Sequence, residues 1–179
     1  SHKCLVPICG RPLITWVLDT VCAMPETGLV RIALETESHA AVAPLLAPYR
    51  TAGKDIELIA SQAGIADSVL TAVAGSPAPW IITTADNVLL TQDAVRAMAN
   101  AMQTADAVAA LTSADSIRAA HPEGQRRFYH FRDGGYSNCN LYALANDKAF
   151  GAIEIFREGG QFMNNPKRLI NAFGLFNIL

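Results

Sequence analysis

The sequence predicts an α/β domain of three layers, a mostly parallel sheet between helices with one antiparallel hairpin element. Short apolar, β-branched runs recur at Val30–Leu34, Ile56–Ala60, from Trp80, and at Ala107–Leu111, separated by stretches of helical spacing. The run from Trp80 follows Pro79 and lacks polar alternation, the mark of a strand buried on both faces of a parallel sheet. Asp133-Gly134-Gly135 lies between the alternating stretch Arg127–Arg132 and the run Tyr136–Leu144, a strong hairpin signal. There is no internal repeat and no linker long enough to divide two domains.

Taken in order, residues 3–14 form a loop and short extended segment that leads into a helix, with Pro12 suited to its first turn. Leu13, Trp16, Val17 and Cys22 then fall near helical spacing, with Asp19 on the other side. After the strand at Val30–Leu34, Ser38 is expected to cap a helix that Pro44 or Pro48 must bend or end. The strand Ile56–Ala60 is followed by the small-residue loop Ser61–Ser68, which opens a helix running to Val73. The free N–H groups of that helix start suit a phosphate or a base edge. Thr91 caps a helix from Gln92 to Met102, with Asp93 placed to suit the helix dipole. Ser113–Gln125 is polar and reads as irregular, and helices are expected at Asp147–Arg157 and Lys167–Phe173.

A chain of 179 residues, 51% hydrophobic and 17% charged, fits one globular α/β domain with a substantial core. Its net charge of −2 gives no electrostatic footprint for nucleic acid, and no apolar run approaches a membrane span. Cys4, Cys9, Cys22 and Cys139 lack metal or CxxC spacing, so they are expected as reduced thiols in a cytosolic (cytoplasmic) protein, with no signal peptide. His2, His39, His121 and His130 are scattered without ligand spacing and are expected on the surface or in structural roles.

Asp86 ends the apolar run from Trp80. In an open α/β sheet, ligands bind beyond the carboxyl ends of strands, so this carboxylate faces the crevice. A lone carboxylate there suits Mg²⁺, which binds through one or two carboxylates plus substrate phosphates. The competing reading is a turn cap, since Asp-Asn pairs form turns well.

Four segments together resemble the MobA-like nucleotidyltransferases (NTP transferase domain), a branch of the sugar-nucleotide and cofactor nucleotidylyltransferases. Lys3 with Pro7-Ile8-Cys9-Gly10-Arg11-Pro12-Leu13 is similar to the family's K-x-L-x-P-I-x-G-R-P-L start of the first helix. Gly64-Ile65-Ala66-Asp67-Ser68 is similar to its G-x-x-x-S stretch against the nucleotide, and Asp86 to Thr91 to its D-x-P-L-L-T metal segment, with Val88 in place of proline. Phe131 to Asn140 resembles its later hairpin with an Asn-bearing strand. The resemblance implies a Rossmann-like sheet of the nucleotide-diphospho-sugar transferase type and a single domain over residues 1–179. It also implies that the family's first strand and Gly-rich phosphate loop, not present among these residues, lie ahead of Ser1 in the native protein.

The activity it implies is transfer of a nucleoside monophosphate from an NTP to a small phosphorylated or cofactor-type acceptor, releasing pyrophosphate, an EC 2.7.7-type reaction. Lys3 and Asp86 would be catalytic, Asp86 and Asn140 would hold Mg²⁺, and Arg11, Gly64 and Ser68 would contact the nucleotide. The partners implied are the NTP and a small-molecule acceptor, with no nucleic acid and no membrane. Each residue has a plainer role beside this one. Lys3 could be a solvated terminal lysine, Ser68 a helix-start residue, Asn140 a turn partner and Arg11 a stem packed on the first helix. Cys139 reads as a small filler rather than a nucleophile, because no His is near it in sequence. Two rival classes remain. A related glycosyltransferase would usually show a D-x-D pair, where Thr84 stands at that offset from Asp86. A catalytically inactive nucleotide-binding or regulatory module would follow if the phosphate loop were truly missing.

Overall fold

The computed structural model describes residues 3–124, 127–151 and 153. The chain enters through a 3₁₀ turn, Lys3–Leu5, and a tight antiparallel hairpin of β1 (Pro7–Ile8) and β2 (Arg11–Pro12). Both central residues of its turn, Cys9 at φ 50° and Gly10 at φ 77°, are left-handed, the geometry that follows the natural twist of a two-residue hairpin. Helix α1 (Leu13–Cys22) begins directly after Pro12, and β3 (Val30–Leu34), α2 (Thr36–Thr51) and β4 (Ile56–Ala60) follow. Strands β3 and β4 pair in parallel, Val30 with Ile56 through Leu34 with Ala60. Then come α3 (Ile65–Val73), β5 (Trp80–Thr83), α4 (Gln92–Ala101), β6 (Ala107–Ser113), α5 (Ala114–Ala120), β7 (Tyr129–Phe131) and β8 (Gly134–Leu144).

The expected α/β layering is present, but instead of a mostly parallel sheet the described residues form mixed ladders, in which only β3 and β4 pair in parallel and the other pairings are antiparallel. Strand β8 returns from its hairpin with β7 and inserts antiparallel between β5 and β6, so those two run parallel without pairing. On one face α1, α2 and α4 cover the sheet. Ile14, Leu18, Val42 and Leu46 pack with Ile32 and Ile56, while Val17, Val95 and Met98 pack with Leu141 and Ala143. On the other face Ala66, Val69 and Leu70 of α3 meet Trp80, Ile82 and Leu144, joined by Ala149 and Ile153. Strand β5 thus buries Ile81 on one face and Trp80 and Ile82 on the other, as its unbroken apolar run predicts.

Three local expectations are corrected. Helix α2 runs through both prolines. Pro44 and Pro48 stand four apart on the exposed side, opposite buried Val42 and Leu46, where water can reach the carbonyls they leave unpaired. Ser38 does not cap that helix: it is wholly buried within the first turn, its N–H donating to Glu35 O. The stretch after Ser113 is a helix, α5, capped by Ser113 Oγ accepting from Ser116 N. Its apolar periodicity is too sparse to detect, since Ala114 is its one fully buried residue. The helix expected from Asp147 opens as a 3₁₀ turn, Asp147–Ala149; its end and the helix at 167–173 lie outside the described residues. The cap expected at Thr91 forms, Oγ1 accepting from Ala94 N at 3.1 Å.

Candidate active site

Apolar residues carry β5 as far as Thr83, and the chain then turns sharply through Thr84–Leu90 before α4. The turn is closed by Asn87 N–H to Thr84 O, Val88 N–H to Asp86 O and Leu90 N–H to Asn87 O. The valine in place of proline therefore leaves the turn intact and supplies an N–H that proline lacks. Asp86 sits at its head with a side chain only 20% exposed, and Lys3 Nζ pairs directly with Asp86 Oδ2. The Lys3 hydrogen bond, with the Thr84 hydroxyl second, holds the Asp86 carboxyl below the ordinary carboxylate range, and Asp86 raises the Lys3 ammonium in return. Thr84 Oγ1 lies near enough to act on that carboxylate, yet it has no aligned hydrogen-bond partner and is buried. An orphan buried hydroxyl beside a carboxylate calls for a further ligand or water.

The entering chain places Lys3 here. Cys4 is buried in the cluster that includes Ile32, with Leu34 and Ala85 packed against it, so the first turn is wedged between the ends of β3 and β5. Burial pushes the Cys4 thiol up, which keeps it protonated and inert.

Strand β8 supplies the opposite wall. Its register against β6 slips between Ala109 and Leu111, so Cys139–Leu141 form a bulge, with Asn140 left-handed at φ 50°. Asn140 N–H donates to Asn138 Oδ1 at 2.9 Å, and the Asn138 amide also meets the Tyr142 hydroxyl. From β5, Thr83 Oγ1 donates to Asn140 O at 2.9 Å, and Asn87 Nδ2 donates to Thr83 Oγ1 at 3.0 Å and to Cys139 O at 3.2 Å. The exposed Asn140 is thereby fixed next to the strand end that carries Asp86.

Of the residues singled out in the sequence, Lys3 and Asp86 are in contact and Asn140 is tied to the same strand end. Ser68 closes its own loop, accepting from Gln62 N and donating to Gly64 O at 2.9 Å, so its hydroxyl shapes the Ser61–Gly64 loop. Gly64 opens α3, and the carboxylate of Asp67 folds to within 2.7 Å of where a Cβ at 64 would stand. Arg11 is not brought to Asp86. Its guanidinium pairs with Asp19 at 2.6 Å and stacks 4.6 Å over Trp16. Burial pushes Asp19 up, but the Tyr49 hydroxyl and Arg11 together outweigh it and leave the carboxyl lowered. The sequence reading missed Asn87, Thr83 and Thr84, whose only signal is that polar side chains end an apolar strand.

Among the described residues no group of three His, Cys, Asp or Glu side chains could cage a metal. One carboxylate, an orphan hydroxyl and a nearby amide fit Mg²⁺ only when phosphate oxygens complete its shell. A cleft of about 510 Å³ between Pro77, Asp106 and Asp147 lies at the amino end of β5, away from these groups.

The family model for the MobA-like NTP transferase domain matches residues 1–158. The chain belongs to the MobA-like NTP transferase domain family. It is a nucleotidyltransferase. A search of curated proteins finds no match. Among solved structures, a hypothetical transferase from Thermus thermophilus aligns at TM-score 0.72 and 22% identity, over 97% of this chain and 69% of that one. A 4-diphosphocytidyl-2C-methyl-D-erythritol synthase from Anaerococcus prevotii aligns at TM-score 0.71 and 14% identity, over 95% of this chain and 78% of that one. A CMP:2-keto-3-deoxy-manno-octonic acid synthetase complexed with CTP aligns at TM-score 0.62 and 15% identity, over 95% and 79%. These likenesses show the nucleotide-diphospho-sugar transferase fold.

Proposed function

We propose that this nucleotidyltransferase moves an NMP from an NTP to a small phosphorylated or cofactor-type acceptor, with release of pyrophosphate, and that Mg²⁺ held through Asp86 and Asn140 supports the transfer. The observation that carries the reading is the Lys3–Asp86 pair, a carboxylate held ionised at a strand end beside the buried Thr84 hydroxyl. The Lys3 side chain is 80% exposed and long, so it can leave Asp86 for a phosphate when a cation takes its place. When bound, the cation would supply charge neutralisation at the α-phosphate and the departing pyrophosphate. In the transfer the acceptor oxygen bonds to the α-phosphorus as the bond to the bridging oxygen breaks. Positioning and charge suffice for such chemistry, which fits a site without a nucleophilic side chain.

The Ser61–Gly64 loop, shaped by Ser68, is the nucleotide-facing element in this reading, with the backbone of Gly64 at the α3 start. Arg11 keeps its packing role on Asp19 and Trp16. β3 and β5 each pair on one edge only among the described residues. Those edges, with the entering turn wedged beside their ends, support a further parallel strand between them, leading into Lys3 and bringing a phosphate-binding loop with it. The unpaired cysteines support a cytosolic setting. A second reading, a nucleotide-binding module without catalysis, is favoured by one fact: Lys3 already satisfies the Asp86 charge.

Thermal shift with CTP, GTP, ATP and UTP, each with and without Mg²⁺, tests the proposal. A ligand at 100-fold its Kd adds about 2.7 kcal/mol, or roughly 5 to 10 °C for a chain of this size. One NTP should produce such a shift only with Mg²⁺, followed by pyrophosphate release on adding an acceptor. No shift with any NTP overturns the proposal, and a shift without turnover across an acceptor panel returns the second reading.

A further inference from the structure

We propose that Asn87 is a positioning residue for Asp86: its carboxamide clasps the turn that carries Asp86 to the β8 bulge that carries Asn140. This rests on the reading of Asp86 as the cation-holding centre. Both hydrogens of Asn87 Nδ2 are engaged, one on Thr83 Oγ1 and one on Cys139 O. Thr83 can offer its lone pair to Asn87 because its own hydrogen goes to Asn140 O. The direction of the chain is therefore fixed, from the Asn87 amide through the Thr83 hydroxyl to the Asn140 carbonyl. It joins the residue after Asp86 to Cys139 and Asn140 of the bulge.

Without the clasp, the two walls of the site are joined, among the described residues, by the β5–β8 ladder, which ends at Thr83 opposite Leu141, and by the Thr83 hydroxyl on Asn140 O. The turn beyond Thr83 has its own internal bonds, but none of them reaches β8. The bulge is likewise stitched internally by Asn138. The turn that carries Asp86 is tied to the bulge through the Asn87 carboxamide, directly and by way of Thr83, and the separation of the two pieces is what a shared cation would require to be constant. A turn former alone would not need this residue: Asp, Gly or Ser would turn the chain, but none of them donates two hydrogens from one nitrogen.

The test uses the full chain and the NTP that gives the largest Mg²⁺-dependent thermal shift. Mn²⁺ binding is followed by its EPR signal at a saturating level of that NTP. Asn87→Ala should raise the Mn²⁺ half-saturation by about tenfold, the usual cost of losing an outer-shell partner, while the melting point moves by only a few degrees. Asn87→Asp, the same size but unable to donate, should do at least as much, by placing a carboxylate against Cys139 O. Thr83→Val should weaken Mn²⁺ binding in the same way, and Thr83→Ser should recover most of that loss. Asn87→Ala with Thr83→Val together should lose no more than the worse single variant, because both break one chain. Mn²⁺ binding by Asn87→Ala within twofold of the parent overturns the inference. If Asn87→Ala does not fold, Thr83→Val within twofold overturns it instead. Asp86→Asn is measured alongside. Parent-like Mn²⁺ binding there removes the reading beneath the inference, whereas loss there with parent-like Asn87→Ala removes the inference alone.

Discussion

Arg31 fastens α3 to the sheet, and replacing it by methionine should be among the costlier single changes outside the apolar core. Its side chain is only 14% exposed. Nη1 donates to Ala72 O at 2.8 Å and to Ala74 O at 2.9 Å, two carbonyls at the end of α3 that have no helical partner. Nε pairs with Glu57 at 2.7 Å, and the guanidinium lies 5.6 Å from the Trp80 ring centroid. Glu57 is half exposed, so that pair contributes at most about 1 kcal/mol. The part-buried bond to Ala72 is worth about 1.5 to 2 kcal/mol as a charge-assisted bond, and the stack on Trp80 about 0.5 to 1 kcal/mol. Methionine keeps the apolar stem and loses all of these, so Arg31→Met should destabilise by about 2 to 4 kcal/mol. For a domain of this size that is roughly 5 to 15 °C in Tm. Urea unfolding followed by circular dichroism gives the number, and amide exchange should show the last turn of α3 opening first. Arg31→Lys should recover less than half, because a single ammonium cannot span two carbonyls and a carboxylate. A loss under about 0.5 kcal/mol for Arg31→Met would refute this account of how α3 is held.

Thr91→Ala should cost about 1 kcal/mol in urea unfolding, with Thr91→Ser close to the parent, since Ser also accepts from Ala94 N. Equal stability of Thr91→Ala and parent would remove the cap from the account. The Lys3–Asp86 pair should also appear in titration. Asp86 is lowered in the folded chain, so its contribution is present above the ordinary carboxyl value of about 4 and is lost as pH falls through the lowered value. Lys3 is raised, so its contribution is present below about 10.4 and is lost as pH rises through the raised value. In Lys3→Met the Asp86 carboxyl, followed by NMR, should move up toward the ordinary value; a carboxyl that stays low would show that Lys3 is not the cause.

Much of the frame was legible because it is local. The apolar runs at Val30–Leu34, Ile56–Ala60 and Trp80–Thr83 are strands with almost those bounds, and Gly64 and Thr91 mark helix starts by their own chemistry. What escaped depends on distant partners. Nothing near Gly134–Leu144 says that this strand will part β5 from β6, because the pairing joins residues about sixty positions apart. Proline at 44 and 48 is a sound local stop signal, overridden because both face water while Val42 and Leu46 anchor the other side. The candidate site divides along the same line. Asp86 was recognisable as a carboxylate ending a buried strand, but the Lys3 contact needs the entering turn to fold back across more than eighty residues. Asn87 was readable only as a turn former, since its acceptors lie on Thr83 and on the far strand. Arg11 was readable as a stem packed on the first helix or as a phosphate contact, but its pairing with Asp19, eight residues further along, was not.

The central claim is that Asp86 holds a cation for nucleotide chemistry, and the most direct measurement compares Mg²⁺-dependent NTP binding by the parent and by Asp86→Asn at matched stability. Asparagine preserves the size and the turn-forming ability of aspartate and removes only the charge. The account predicts a folded variant whose NTP affinity no longer responds to Mg²⁺ and whose pyrophosphate release is lost. Binding and turnover equal to the parent would make Asp86 a turn residue paired with Lys3 and would contradict the account.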